Sequence, residues 1–322
     1  MSRRRGSSRA PRSPASPPRV TLEAGDGWSL TSVDIEGFGA TEQLISMPAK
    51  FDRIVFVIPG NPGVALYYAP FALALRERYD KTAVVACGYL GHDEGGSRVV
   101  VGLREQCLHK AAAVEQLARE HPGAEIVLCG HSIGCHAAAR AAELVRPSLG
   151  ALRIILLMPF LRVNEGGADE GQHKQRTIGR NLRLPGLALL VALLAHACTR
   201  VLPLAARKRV CYWLVDSARA GEHACDVTAR WMTRYGMLRQ YLGLAVTEFE
   251  AFESEEHAVD WGAIGKRCVE PAIYSDRNDH WAPPCDRRRL VPEARCVALD
   301  VTHDFCCNVE QCDVVCAALG DL

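Results

Sequence analysis

The chain has almost no net charge: 38 Lys and Arg stand against 37 Asp and Glu, leaving +1 over 322 residues. That balance gives no general reason for a polyanionic partner, so nucleic acid is not expected. C-x-x-C pairs are missing too, although there are 14 cysteines. With no signal peptide ahead of them, zinc and disulfide frameworks recede and a reducing compartment is expected. Cys87 and Cys129 read as small hydrophobes in core strands. The late group Cys296, Cys306, Cys307, Cys312 and Cys316 lacks zinc-like pairing, so neither a metal nor a cofactor is expected. Acidic residues are absent from Met1 to Arg19, which is rich in Arg, Ser and Pro. It reads as a disordered basic tail, because it has too little apolar surface to order itself. Its prolines speak against the amphipathic helix of a transit peptide, and attraction to an anionic membrane is the other use for its arginines.

No apolar run spans a bilayer comfortably. The nearest, Leu184 to Leu204, carries Arg200 as its only formal charge and has Pro185 and Pro203 near its ends. That composition suits a re-entrant or interfacial segment. Arg207, Lys208 and Arg209 follow, then Tyr212-Trp213-Leu214-Val215. A basic cluster beside aromatic and apolar residues suits a monotopic contact over 184–215, against the alternative of a buried helix.

A hydrophobic content of 48% is ample for a large core. The central stretch is Glu125 to Arg146. Ile126 to Cys129 form a short apolar run that reads as a strand buried on both faces and stopping at Gly130. From Ile133 the alanines with Leu144 and Val145 read as a helix, closed by Pro147. Gly130-His131-Ser132-Ile133-Gly134 thus lies between strand and helix, the setting in which G-x-S-x-G is a nucleophile elbow. Ser132 is the expected nucleophile. Gly130 and Gly134 allow strand and helix to approach closely, and the Ile133 N–H faces an oxyanion.

The rest of the chain has a parallel-sheet rhythm. Trp28 to Ile35 and Glu42 to Met47 suit antiparallel edge strands. Ile54 to Ile58 is a buried strand ending in Pro59-Gly60-Asn61-Pro62-Gly63, a turn dense enough in Gly and Pro (Gly60, Gly63) to bring a backbone N–H, that of Asn61, to a ligand. A helix is expected over Ala65 to Arg78, a strand over Thr82 to Cys87, a helix over Val99 to Glu120 and a strand over Leu152 to Met158. Residues 161–265 break the rhythm and read as a helical, hydrophobic insertion between core parts 20–160 and 266–322. Within it, Asn164 to Gln175 is polar and Gly-rich, and Met232 to Phe252 has amphipathic helical spacing.

The sheet resumes at Val269 to Tyr274, with an acidic loop behind it. Chain order Ser, Asp, His requires an acid there. Asp276, beside Arg277, looks like a turn residue; Asp279 lies deeper and is walled by His280, Trp281 and Pro283, so Asp279 is favoured. After the last strand, Cys296 to Val301, comes His303, placed to act as general base toward Ser132.

On Ile58-Pro59-Gly60-Asn61-Pro62-Gly63 with Tyr67, Tyr68 and Phe71, on Gly130-His131-Ser132-Ile133-Gly134, on Asn278-Asp279-His280-Trp281-Ala282-Pro283 and on His303, the sequence resembles the lipid droplet-associated hydrolases. These are a branch of the α/β-hydrolase superfamily, and the resemblance runs from about Phe51 to the C-terminus. It implies an α/β-hydrolase fold, a Ser132–Asp279–His303 triad, and a hydrophobic cap anchoring the protein to the lipid droplet and the cytosolic face of the endoplasmic reticulum. It also implies hydrolysis of neutral lipid esters, sterol esters or acylglycerols. One departure is Ser275, where many relatives have glycine. A soluble esterase or thioesterase for small acyl substrates is the second enzyme reading, and a lipid-droplet binding or tethering protein is a third.

Overall fold

Four strands whose residues are buried almost throughout form the middle of a nine-stranded sheet: β4 (Arg53–Ile58), β5 (Thr82–Cys87), β6 (Glu125–His131) and β7 (Arg153–Leu157). Continuous Val, Ile and Leu runs suit them because helices cover both faces, so alternation has nothing to select. The computed structural model describes residues 22–24, 27–93, 99–145, 149, 152–163, 170–214, 221–231, 234–253, 259–261, 264, 269–277, 279–283, 294–320 and 322. The expected basic tail, 1–19, lies outside them, as do Pro147, residues 164–169, Asn278 and the side chains of 212–215.

The strand order is β1-β2-β3-β5-β4-β6-β7-β8-β9, with β1 (Leu22–Ala24), β2 (Trp28–Ile35), β3 (Gly39–Ser46), β8 (Val269–Ser275) and β9 (Cys296–Leu299) completing the sheet. The first three strands join antiparallel, β3 on β5, and every pair from β5 across to β9 is parallel. This is the α/β-hydrolase fold. From β4 the chain passes through a 3-10 turn (Ala65–Tyr68) and α1 (Ala69–Arg78) to β5 on one side. It then returns through α2 (Leu103–Glu120) to β6 on the other. Right-handed crossovers put α1 and α2 on opposite faces, so the loops leaving β4 and β6 diverge and open a crevice at the carboxyl edge. Helix α3 (Ile133–Leu144) packs with α2, and α9 (Val309–Ala318) packs with α1.

Some boundaries differ from those expected. Strand β6 continues past Gly130 because the ladder to β7 still pairs His131 with Leu157. The segment after the PGNPG turn splits at Tyr68, since Pro70 sits in the first turn of α1 and restarts the helix. Helix α2 begins at Leu103 rather than Val99. The preceding N–H of Val101 goes instead to Gln240 Oε1 at 3.0 Å, and that of Leu103 to Thr247 Oγ1 at 3.1 Å.

Between β7 and β8 lie α4 (Glu170–Leu182), α5 (Leu187–Arg200), α6 (Leu204–Leu214), α7 (Glu222–Trp231) and α8 (Tyr235–Glu253). Helix α5 packs on α8 and α6 on α7. On α5 only Ala192 and Thr199 are buried, while Leu189, Leu190, Val191, Leu193 and Leu194 face outward. Among the described residues no single helix is long and apolar enough to cross a membrane. Lys174–Leu182 and Leu187–Arg200 pass that test together, bent by 90°. Two of the three basic residues expected at head groups are engaged within the protein: Arg207 donates to the carbonyls of Leu202 and Ala229, and Lys208 pairs with Asp226 on α7. Arg209 is exposed.

Candidate active site

Ser132 is one of three described non-glycine residues with positive φ, at φ 55 and ψ −123. Such a backbone is strained by about 1–3 kcal/mol and persists only where its surroundings over-determine it. They do so here: Ser132 N–H donates to Leu157 O at 2.9 Å, and Ser132 O accepts from Cys135 at 3.0 Å and Phe160 at 3.2 Å. The glycines on either side let β6, α3 and β4 touch. A Cβ on Gly130 would lie 2.5 Å from Gly134 O, and one on Gly134 would overlap the carbonyl oxygen of Ile58.

His303 follows β9 and reaches Ser132 across the carboxyl edge. Its Nε2 is 2.9 Å from Ser132 Oγ and its Nδ1 is 2.8 Å from Asp279 Oδ2. The carboxylate accepts from Nδ1–H, which leaves Nε2 to accept the serine proton. Asp279 is buried, and its Oδ1 takes the N–H groups of Trp281 at 2.9 Å and Ala282 at 3.3 Å. Burial alone would raise this carboxyl, but His303 and those two N–H groups outweigh it and hold the pKa below the usual range. Asp276 is exposed and does not join the row. The structure brings Ser132, Asp279 and His303 together although they come from three separate loops.

The PGNPG turn sits beside the elbow because Ile58 pairs with Gly130. Gly60 lies so close that a Cβ there would be 3.0 Å from the Ser132 Cβ, while Gly63, at φ 70, is pressed against the Tyr89 ring. The Gly60 N–H is taken by Tyr68 Oη at 2.8 Å. Among the described residues, the N–H groups of Asn61 and Ile133 have no protein acceptor. These are the two donors the sequence nominates.

A pocket of about 380 Å³ opens over Ser132, lined by Asn61, Tyr67, Trp231, Tyr241, His303 and Cys307 among others. Helices α7 and α8 roof it and are fastened to the core. Trp231 Nε1 donates to Tyr67 Oη at 2.6 Å, and Tyr67 in turn meets Thr228 Oγ1 at 2.6 Å. His223 Nε2 donates to Leu66 O at 2.7 Å, and Asn61 Nδ2 to Tyr241 O at 3.0 Å. Behind Asn61, on α8, Glu248 is buried with one carboxyl oxygen unpartnered, and burial pushes its pKa to about 8 against the opposing Asn61 amide.

Sequence reasoning missed several contributors. Ser275, noted only as a departure from glycine, is buried between the loops that carry Asp279 and His303: its Oγ donates to Val301 O and accepts Arg277 N–H. His131 and Glu248 were not singled out; a titratable side chain inside the elbow motif was the available signal for the first. Among the described residues no group of His, Cys, Asp or Glu is arranged to hold a metal, and no two cysteines form a disulfide.

The sequence model of the lipid-droplet associated hydrolase family matches residues 52–306. The chain is 31% identical over 127 residues to the human lipid droplet-associated hydrolase, covering 34% of this chain and 38% of that one. It is 25% identical over 139 residues to the Dictyostelium discoideum protein of the same name, covering 40% and 45%. The chain thus aligns with less than half the length of these relatives. Among solved structures, a putative α/β hydrolase from a Nostoc species superposes with a TM-score of 0.61 at 14% identity, covering 91% of this chain and 97% of that one. An esterase from Thermogutta terrifontis gives 0.53 at 15%, covering 94% and 96%. At such identities the likeness speaks for the fold.

Proposed function

The chain belongs to the lipid-droplet associated hydrolase family, and from that membership we propose that it is a serine hydrolase of neutral lipid esters, sterol esters or acylglycerols. The observation that carries this reading is the hydrogen-bonded row Ser132–His303–Asp279, at 2.9 and 2.8 Å, of which Ser132 and His303 line the pocket. Ser132 Oγ attacks the ester carbonyl while His303 Nε2 takes its proton, and Asp279 holds the imidazole tautomer and balances the imidazolium. The N–H groups of Asn61 and Ile133 receive the oxyanion. His303 then protonates the departing alcohol, and the same residues run in reverse with water to release the acid.

Helices α4 to α8 act as a cap in this reading, and the outward leucines of α5 supply its contact with lipid. A helix with one apolar face turned to the outside and almost none of its leucines buried is built for an interface rather than a core. The surface it meets is that of the lipid droplet and the cytosolic face of the endoplasmic reticulum. A fluorophosphonate probe tests the chemistry: the full-length protein is labelled and Ser132→Ala is not, while a panel of esters of rising chain length ranks substrates. Equal labelling of Ser132→Ala would remove the nucleophile and with it the reading.

A further inference from the structure

Three loops must hold their relative positions for this chemistry: the turn after β4, the elbow, and the loop bearing His303. One pair of buried side chains touches all three. Tyr68 Oη accepts the Gly60 N–H at 2.8 Å and lies 2.6 Å from His131 Nδ1, and His131 Nε2 lies 2.7 Å from the carbonyl oxygen of His303. The direction of each bond follows from chemistry. A carbonyl oxygen can only accept, so Nε2 carries the hydrogen; Nδ1 is then a bare lone pair, and the tyrosine hydroxyl must donate to it. The phenol oxygen keeps its lone pairs for Gly60. Every donor and acceptor is used once, with a single arrangement of hydrogens.

We propose that His131 is a positioning residue of the reaction: with Tyr68 it ties the Gly60–Asn61 turn, the elbow and the His303 backbone into one chain, fixing His303 Nε2 against Ser132 Oγ. This rests on Ser132 and His303 acting as proposed above. The surroundings suit the role. The His131 ring is wedged between His303, at 5.3 Å between centroids, and the edge-on ring of Phe305, at 5.1 Å. It is nearly inaccessible to water. Burial, with the neighbouring His303, brings its pKa to about 3, so the neutral tautomer that the chain requires persists at neutral pH. The commitment of Gly60 N–H to Tyr68 also explains why Asn61, one residue on, is the free donor of that turn.

The test uses three single variants of the full chain, each cutting one link. Tyr68→Phe removes the hydroxyl and leaves Gly60 N–H and His131 Nδ1 unpaired, with packing kept. His131→Gln keeps a donor for the His303 carbonyl but offers Tyr68 no acceptor. His131→Asn does the reverse. Each is assayed for fluorophosphonate labelling rate against pH, for kcat and KM on a short-chain p-nitrophenyl ester, and for melting temperature, with Ser132→Ala as control. Tyr68→Phe and His131→Gln lower kcat by about tenfold or more with KM within about twofold, because the oxyanion turn is loosened but the site still binds. Their double variant is no worse than either alone, since both cut the same link. His131→Asn displaces the midpoint of the labelling pH profile, because it frees the His303 backbone. If all three keep kcat within twofold of the parent and leave the pH midpoint where it was while Ser132→Ala is inert, the inference fails and the serine assignment stands. Losses that merely track the unfolded fraction at the assay temperature also overturn it. If Ser132→Ala is labelled, the functional reading itself has failed.

Discussion

Ser275 donates its hydroxyl hydrogen to the carbonyl oxygen of Val301, joining the end of β8 to the residue two positions before His303. The Ser275 hydroxyl oxygen in turn accepts the N–H of Arg277, two residues before Asp279. Acid and base loops are therefore sewn together by a side chain that is neither acid nor base. Ser275→Gly, the residue expected there from the family resemblance, leaves both partners unsatisfied. It should lower unfolding free energy by about 1–2 kcal/mol and slow labelling several-fold. Urea unfolding and labelling kinetics read the two effects; an unchanged midpoint and rate would mean the stitch contributes nothing.

Asp279→Asn should reduce turnover on the order of a thousandfold, because an amide can donate to His303 Nδ1 and favour the tautomer that cannot accept from Ser132. Asp276→Asn, on the exposed side of the same loop, should leave kcat within about twofold. The comparison is made on one short-chain ester, with circular dichroism to confirm equal folding. Reversed results would hand the role of acid to Asp276.

Much of this site is legible along the chain. Ser132, Asp279 and His303 each follow a strand at a place where a strand must end, and local pattern finds strand ends. The strands themselves announce their burial: Ile54 to Ile58 has no polar residue to give to water. What local pattern cannot supply is the partner of a side chain far away in sequence. The bond between Tyr68 and His131 spans 63 residues, and the start of α2 is set by Gln240 and Thr247 on a helix over a hundred residues downstream. Arg207 and Lys208 illustrate the same limit, since composition counts them as free cations while α7 occupies them.

Glu248 gives the protein a pH signature of its own. Its folded pKa, about 8, is raised from an ordinary 4.5, so the folded state holds a proton that the unfolded state releases between those values. The stabilisation is complete below pH 4.5 and declines as pH rises through about 8, at up to about 1.4 kcal/mol per pH unit. Glu248→Gln removes this slope. Unfolding free energies from pH 5 to 9 should show the parent losing ground to the variant as pH rises; parallel curves would place an ionised carboxylate in the folded state.

Acidic residues on α5 should separate lipid contact from folding. Leu190 and Leu194 are 52% and 57% exposed, so Leu190→Glu with Leu194→Glu should change stability by no more than about 0.5 kcal/mol each. At a lipid surface each charge opposes insertion by about 3 kcal/mol, enough to release most of the protein. Flotation with phospholipid-coated triolein droplets measures release, and labelling in detergent confirms that the site survives. A double variant that floats like the parent removes α5 from the lipid contact.

The roof over the pocket is bolted to the segment that follows β4, which is proposed to hold the oxyanion. Asn61 to Tyr241, Tyr67 to Trp231 and Thr228, and Leu66 to His223 are four separate bonds between the core and α7 or α8. At a net worth of about 1 kcal/mol each, swinging both helices aside would occupy roughly one molecule in a thousand at any instant. If the chain acts on lipid esters as proposed, a slender acyl chain can enter beneath this roof end first, whereas a bulky polycyclic alcohol would need the roof moved aside. Chain-like and plate-like esters would then differ in how often the door stands open, and a perfectly assembled nucleophile could idle in front of the larger substrate.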